Sequence, residues 1–254
     1  MPFLTAAAHR IEYELIHPHH PGPCLVFLHE GLGSVAMWRD FPVRLCAATG
    51  CRGLVYSRWG YGKSDPLDGP RAVDFMHDEA RRALPDLLDQ LGIDNPVLFG
   101  HSDGASIALL HAGLTSRPVA GLVVLAPHVM VEDISVRSIA AAKAAYATTD
   151  LRTRLARYHD DVDSAFRGWN DVWLLPAFRD WNIEDCLPGI RVPVLAIQGV
   201  DDEYGTLEQI RRIARGAVNA EVELLELADC RHSPHRDQPE AVIAAVQRFA
   251  AALP

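Results

Sequence analysis

The sequence predicts an α/β fold in which a mostly parallel sheet is flanked by helices. Short apolar runs alternate with stretches of helical period along most of the 254 residues, as expected for strands that helices cover on both faces. A Gly-x-Ser-x-Gly turn joins one apolar run to a helical run, which is where such a fold carries a nucleophile. One long helical stretch interrupts the alternation and predicts an insertion into the α/β core.

Six apolar runs, each bounded by Gly, Pro or charged residues, are the predicted strands: 24–28, 53–56, 96–99, 122–126, 193–197 and 222–227. Continuous runs of this length are typical of strands buried on both faces. Apolar residues at a period near 3.6 predict helices between them, at 74–91, 106–112, 207–217 and 240–253.

Residues 127–190 contain helical patterns at 138–146 and 151–158 and a Trp-containing stretch at 165–181. We therefore expect residues 1–126 and 191–254 to form the core and residues 127–190 to form a helical cap.

The composition limits the classes of function. The chain is 49% hydrophobic and 22% charged, with a formal net charge of −9, which argues against nucleic acid and anionic membranes as partners. The first residues lack the pattern of a signal peptide, and no apolar run approaches the ~20 residues that span a bilayer. We expect a cytoplasmic protein that acts on a small-molecule substrate; whether it forms a homo-oligomer is left open. No metal or organic cofactor is implied.

The strongest local signal is the segment Gly100-His101-Ser102-Asp103-Gly104. A strand that turns sharply into a helix strains the residue between them, and the residues two before and two after it must be small. Ser102 would then lie exposed at the helix N-terminus, where free N–H groups favour negative charge. A serine hydroxyl needs a base, and the acid and histidine follow the serine in this type of fold. Asp201, Asp202 and His232 follow predicted strands at the same edge.

Four motifs in this order carry a family resemblance: 28–33 (LHEGLG), 57–64 (SRWGYGKS), 100–104 (GHSDG), and the acid and histidine loops at 199–202 and 230–232. With them the chain resembles the α/β-hydrolase superfamily, and in particular its small single-domain serine hydrolases with a helical cap. The resemblance covers nearly the whole chain apart from the insertion.

The resemblance implies a role for individual residues. Ser102 would be the nucleophile, His232 the general base and Asp202, rather than Asp201, the acid that orients the histidine. The backbone N–H groups of Gly31 and Asp103 would form the oxyanion hole. His235, the other histidine of that loop, is expected at the surface or at the rim of the pocket.

Two residues depart from the family pattern. Glu30 stands where glycine is common, and a carboxylate beside an oxyanion hole opposes catalysis unless it points away or pairs with a cation. Asp103 stands where a hydrophobic residue is common, although a negative charge is tolerated at the start of a helix. Four tryptophans are candidates for the wall of the substrate pocket: Trp38, Trp59, Trp169 and Trp173.

The predicted function is hydrolysis of a small carboxylic ester, lactone or related acyl compound through an acyl-serine intermediate. The same residues would also serve a carbon–carbon bond hydrolase acting on a diketone-like intermediate of aromatic degradation. A third alternative is a non-catalytic ligand-binding protein on the same scaffold, which Glu30 and Asp103 could favour. Fold alone does not decide between them.

Overall fold

The computed structural model describes residues 2–253. These residues form an eight-stranded sheet with the order β1-β2-β4-β3-β5-β6-β7-β8. The strands are β1 (Phe3–Ala6), β2 (His9–Ile16), β3 (Cys24–Leu28), β4 (Arg52–Tyr56), β5 (Val97–His101), β6 (Gly121–Leu125), β7 (Val194–Gly199) and β8 (Val222–Leu227). From β4 to β8 all neighbours in the sheet are parallel, which confirms the predicted fold class.

The first two strands were not predicted from the sequence. They lie at one edge of the sheet, where β1 pairs antiparallel with β2 and β2 pairs antiparallel with β4. Their residues mix buried and exposed positions, whereas β3 is buried at every position. An edge strand of this kind has no continuous apolar run, which is the signal that identified the other six.

Helices cover both faces of the sheet. The helices of the core are α1 (Phe41–Thr49), α2 (Phe75–Asp78), α3 (Leu84–Gln90), α4 (Asp103–Leu114), α8 (Glu208–Gly216), α9 (Pro234–Asp237) and α10 (Pro239–Ala252). The apolar sides of α1 and α10 pack on one face, and those of α2, α3, α4 and α8 pack on the other. A π-helical turn at Glu79–Ala83 joins α2 to α3, so the single helix predicted at 74–91 is present with a bulge in its middle.

The helical insertion lies between β6 and β7. It contains α5 (Asp133–Thr148), α6 (Leu151–Leu155) and α7 (Val162–Trp173), followed by 3₁₀ turns at Pro176–Phe178 and Glu184–Gly189. Its buried aromatic residues, among them Phe166 and Trp173, belong to the same apolar cluster as α4. The insertion therefore packs on the face of the sheet that carries the helix after Ser102.

The parallel strands bring their carboxyl ends to one edge of the sheet, and the loops that follow β3, β5, β6, β7 and β8 meet there. Ligands bind at this edge in open parallel sheets. Within residues 2–253, the structure contains no helix that is both long and apolar enough to cross a membrane.

Candidate active site

Ser102 occupies a strained turn between β5 and α4. Its backbone has a φ of 53° and a ψ of −118°, a conformation that residues other than glycine rarely adopt. A Cβ atom on Gly100 would lie 2.4 Å from the carbonyl oxygen of Gly104, and a Cβ on Gly104 would lie 2.1 Å from that of Leu28. Both glycines are therefore needed for the close approach that the turn requires.

The structure brings Ser102, His232 and Asp202 together. The Oγ of Ser102 lies 3.0 Å from Nε2 of His232, and Nδ1 of the same ring lies 2.8 Å from Oδ1 of Asp202. A carboxylate only accepts hydrogen bonds, so Nδ1–H donates to Asp202 and leaves Nε2 free to take the serine proton. This is the hydrogen-bond order that a nucleophile, base and orienting acid need.

Asp202 is held by several donors besides the histidine. Its Oδ1 accepts from the N–H groups of Tyr204 at 2.8 Å and Gly205 at 3.3 Å, and its Oδ2 accepts from Nε2 of Gln198 at 3.0 Å. Asp201 is exposed instead, and its N–H donates to the carbonyl of Cys230. The contact with the histidine thus belongs to Asp202 and not to its neighbour.

The charges of this pair shift the pKa values of both groups. Burial opposes ionisation of Asp202, but the charge of His232 and its hydrogen bond outweigh burial and lower the pKa of the carboxyl. Burial likewise opposes the charged form of His232, but the charge and hydrogen bond of Asp202 raise the pKa of the imidazole above its usual value. The surroundings of His232 therefore favour the charged, imidazolium form of its ring.

The two predicted oxyanion-hole residues lie beside Ser102. Gly31 lines the cavity that contains the serine, and Asp103 follows the serine in the chain. Among the backbone–backbone hydrogen bonds outside the helices and strands of residues 2–253, none has either N–H group as its donor. A Cβ on Gly31 would lie 2.1 Å from the ring of Trp169, so this glycine lets the indole cover the loop closely.

The carboxylate of Glu30 lies close to one histidine and one arginine. Its Oε2 lies 3.5 Å from Nδ1 of His101 and its Oε1 lies 3.9 Å from the guanidinium of Arg236. Burial opposes ionisation of Glu30, but the hydrogen bond and charge of His101 and the charge of Arg236 hold its pKa well below the usual range. On its other side, Nε2–H of His101 donates to the carbonyl of His232 at 2.7 Å. His101 thus connects the loop of Glu30, the turn of Ser102 and the loop of His232.

Arg58 and Trp173 surround the carboxylate of Asp103. The guanidinium of Arg58 lies 3.9 Å from Oδ2, and both side chains are 1% exposed. The indole N–H of Trp173 donates to Oδ1 at 3.2 Å. Burial raises the pKa of Asp103, and the charge of Arg58 partly opposes this rise. Arg58 also donates to the carbonyl of Glu30 at 2.9 Å, which fixes the loop that carries Gly31.

A cavity of about 110 Å³ opens above the serine. The residues that line it are Glu30, Gly31, Leu32, Ser102, His128, Ile139, Trp169, Trp173, Tyr204 and His232. Two of the four predicted pocket tryptophans, Trp169 and Trp173, are therefore at the site. Both come from α7, so the insertion supplies much of the apolar wall.

The other two tryptophans lie elsewhere, which corrects the sequence-based expectation. Trp38 is buried on the opposite face of the sheet, where its ring packs against Phe27 and Phe99. Trp59 stacks on His9 at 3.8 Å and lines a separate groove of about 290 Å³. His235 is also not at the rim: it is buried against Trp38. In each case the side chain points away from Ser102, although its loop lies near the edge of the sheet formed by the carboxyl ends of the parallel strands.

His128 and Ile139 are among the residues of the cavity wall that sequence reasoning missed. His128 comes three residues after β6, and its position directly beyond a buried parallel strand was the signal that could have identified it. Ile139 lies within α5, and an isoleucine in a helix carries no signal that separates a pocket wall from a core contact.

Comparisons with known proteins agree with this architecture. A family model described as "Alpha/beta hydrolase family" matches residues 25–245. The enol-lactonase from Burkholderia xenovorans LB400 superposes with a TM-score of 0.78 at 21% identity, covering 98% of this chain and 100% of that one. The esterase EaEST from Exiguobacterium antarcticum gives a TM-score of 0.76 at 20% identity, with 98% and 99% covered. At these identities the structures show a shared fold.

A curated relative in Mus musculus, an "sn-1-specific diacylglycerol lipase ABHD11", is 31% identical over 102 residues. The match covers 40% of this chain and 32% of the relative. This chain therefore spans about a third of that protein, and the whole activity of the relative does not transfer from the match alone.

Proposed function

Because this chain belongs to the alpha/beta hydrolase family, we propose that it is a serine hydrolase of small carboxylic esters, lactones or related acyl compounds. The observation that carries the proposal is the continuous hydrogen-bond chain from Ser102 through His232 to Asp202 at the floor of a cavity. Enzymes of this fold that resemble the chain include an enol-lactonase and an esterase.

In this mechanism His232 takes the proton of Ser102 as the serine oxygen attacks the carbonyl carbon of the substrate. The N–H groups of Gly31 and Asp103 stabilise the negative oxygen of the tetrahedral intermediate. His232 then gives the proton to the leaving alcohol, and an acyl-serine remains. Water, activated by the same histidine, releases the acid and restores the serine.

Asp202 acts by holding the histidine. Its hydrogen bond keeps the proton of the neutral ring on Nδ1, and its charge stabilises the imidazolium formed during attack. Residues 127–190 act as a cap in this proposal, since Ile139, Trp169 and Trp173 come from this segment and cover the acyl site.

The size of the cavity favours a small acyl substrate over an aromatic diketone. Pockets for drug-sized ligands usually measure about 300–1,000 Å³, whereas this cavity has about 110 Å³. The pairing of Glu30 with His101 and Arg236 removes the main argument for a non-catalytic binding protein, since that carboxylate is not left unpaired beside the oxyanion site.

The test compares wild-type protein with Ser102→Ala and with Ser116→Ala, a matched change at an exposed serine after α4. We expect an alkyl fluorophosphonate, which loses fluoride as it bonds to the serine oxygen, to add one mass label to the wild type and to Ser116→Ala, and none to Ser102→Ala. The wild type and Ser116→Ala should likewise hydrolyse p-nitrophenyl acetate, and Ser102→Ala should not. Turnover that persists in folded Ser102→Ala protein would refute the acyl-serine mechanism.

A further inference from the structure

We propose that the substrate carries a neutral hydrogen-bonding group close to its scissile carbonyl, and that His128 binds this group. The inference rests on the hydrolase function proposed above and specifies its substrate class: short hydroxyacyl or oxoacyl esters and small lactones. His128 would then be a specificity residue that touches substrate without taking part in proton transfer.

The cavity volume limits the acyl group. An apolar protein cavity of about 150 Å³ holds benzene, which has six carbon atoms. By the same ratio, the 110 Å³ beside Ser102 hold about four non-hydrogen atoms. A short acyl chain fits, and a long fatty chain does not fit without movement of the wall.

Apolar side chains form much of the wall, and Glu30, His128 and Tyr204 supply polar groups besides Ser102 and His232. Trp169, Trp173 and Ile139 supply its apolar part, and the indole N–H of Trp173 is already used by Asp103. His128 and Tyr204 lie on the remaining side, next to the catalytic histidine, and the ring centre of His128 is 5.8 Å from that of His232. A polar atom near the scissile carbonyl would face this side of the wall, where His128 is buried and Tyr204 is partly exposed.

The ring of His128 is held in place but has no partner. The hydroxyl of Ser106 donates to the carbonyl of His128 at 2.6 Å and accepts from its N–H at 3.2 Å. The ring packs edge-on against Trp173 at 5.0 Å. The residue is 3% exposed, and its Nδ1 is buried without a hydrogen bond among residues 2–253. Other buried side chains of the described residues also contain polar atoms without a partner, but His128 lines the cavity that contains Ser102, where a ligand can supply the missing hydrogen bond.

The surrounding charges indicate that the bound group is neutral. Burial, together with the charge of His232, lowers the pKa of His128 to about 3, so its ring offers one N–H donor and one acceptor nitrogen at neutral pH. Among the residues that line the cavity there is no Arg or Lys side chain, and Glu30 contributes a carboxylate, so an anionic group would find no fixed cation there. A hydroxyl, a ketone or a lactone ring oxygen satisfies both conditions.

The test uses two esters that differ only at one position of the acyl chain. Methyl 3-hydroxybutanoate has a hydroxyl where methyl 3-methylbutanoate has a methyl group of similar size. The readout is the ratio of their kcat/KM values, divided by the ratio of their rates of alkaline hydrolysis. We expect the wild type to favour the hydroxy ester by about 5- to 150-fold, the range for a buried polar group that gains its partner.

The variant His128→Phe should bring this ratio close to one, and His128→Asn, which keeps a donor and an acceptor, should retain part of it. His19→Phe is the matched control at an exposed histidine before β3 and should keep the wild-type ratio. Because each ratio is measured within one protein, a variant that folds in lower yield still gives a valid result.

A wild-type ratio near one overturns the inference, and so does a preference that persists in His128→Phe. A loss in His128→Phe that is equal for both esters also overturns it, because that result indicates a structural role. If the phosphonate labels Ser102 but neither ester is turned over, the inference fails while the nucleophile stands. If Ser102 is not labelled, the hydrolase proposal itself fails.

Discussion

Replacement of Arg58 by methionine is expected to destabilise the folded protein by about 3–5 kcal/mol at neutral pH, the usual cost of removing one partner of a buried ion pair. Methionine keeps an unbranched apolar chain of similar length against Tyr61 but removes the charge that lies 3.9 Å from Asp103. Two buried carboxylates, Asp103 and Glu79, have pKa values raised by burial, and they then lose the charge of Arg58 that opposes this rise and keep that of Arg71.

The magnitude follows from the distance and from burial. At 3.9 Å and an effective dielectric constant of about 20, two unit charges attract by about 4 kcal/mol. Both side chains are 1% exposed, so solvent screens this attraction little. The loss of the hydrogen bond from Arg58 to the carbonyl of Glu30 adds to the cost and loosens the loop that carries Gly31.

The assay is urea unfolding followed by tryptophan fluorescence, with thermal unfolding as a second measurement. In a protein of this size, 3–5 kcal/mol corresponds to a fall in Tm of about 6–20 °C.

The destabilisation caused by Arg58→Met should also depend on pH. Burial already raises the pKa of Asp103, and loss of Arg58 raises it further, so the folded variant takes up a proton as the pH falls. The destabilisation is full above this raised pKa and is lost as the pH falls through it.

The double variant Arg58→Met/Asp103→Asn tests whether the charge pair is the cause. Since the second change removes the unpaired carboxylate, Arg58→Met should cost less in this background than in the wild type, and the cost should depend less on pH. Arg58→Lys, which keeps the charge, should fall between the wild type and Arg58→Met. A cost below about 1 kcal/mol, or the same cost in the Asp103→Asn background, would refute the reasoning.

Three further predictions concern catalysis. Asp202→Asn should lower kcat by about ten-thousandfold, as the same change does in a serine protease, whereas Asp201→Asn at the exposed neighbour should leave the esterase rate unchanged; equal losses would contradict the assignment. In a pH–rate profile, kcat/KM should rise as the pH passes through the raised pKa of His232, and Asp202→Asn should move this midpoint to lower pH; an unmoved midpoint would count against the pair. Trp169→Ala should shift the preference among p-nitrophenyl esters towards longer acyl chains, and an unchanged length profile would show that this ring does not limit the cavity.

The strained turn at Ser102 could be predicted from the sequence because its requirements are local. A serine in a strained strand-to-helix turn needs small residues two positions away on each side. Any sequence that forms this turn therefore shows small residues at these two positions, as residues 100–104 do. The six buried strands were equally visible, since a strand covered on both faces must be apolar along its whole length. The fold class followed from their alternation with helices, and the structure confirms it.

The tertiary structure decided where the side chains of the loop residues point and which residues they contact. Trp38 and Trp169 look alike in the sequence, yet one packs on the far face of the sheet and the other covers Gly31. Glu30 stands beside the oxyanion site in the chain, but its carboxylate meets His101 and Arg236, which are distant in sequence. The sequence by itself determined the six buried strands and the strained turn at Ser102, because backbone sterics and burial act over a few residues. The direction of a loop side chain was decided only in the fold, because it depends on partners that folding brings from far along the chain.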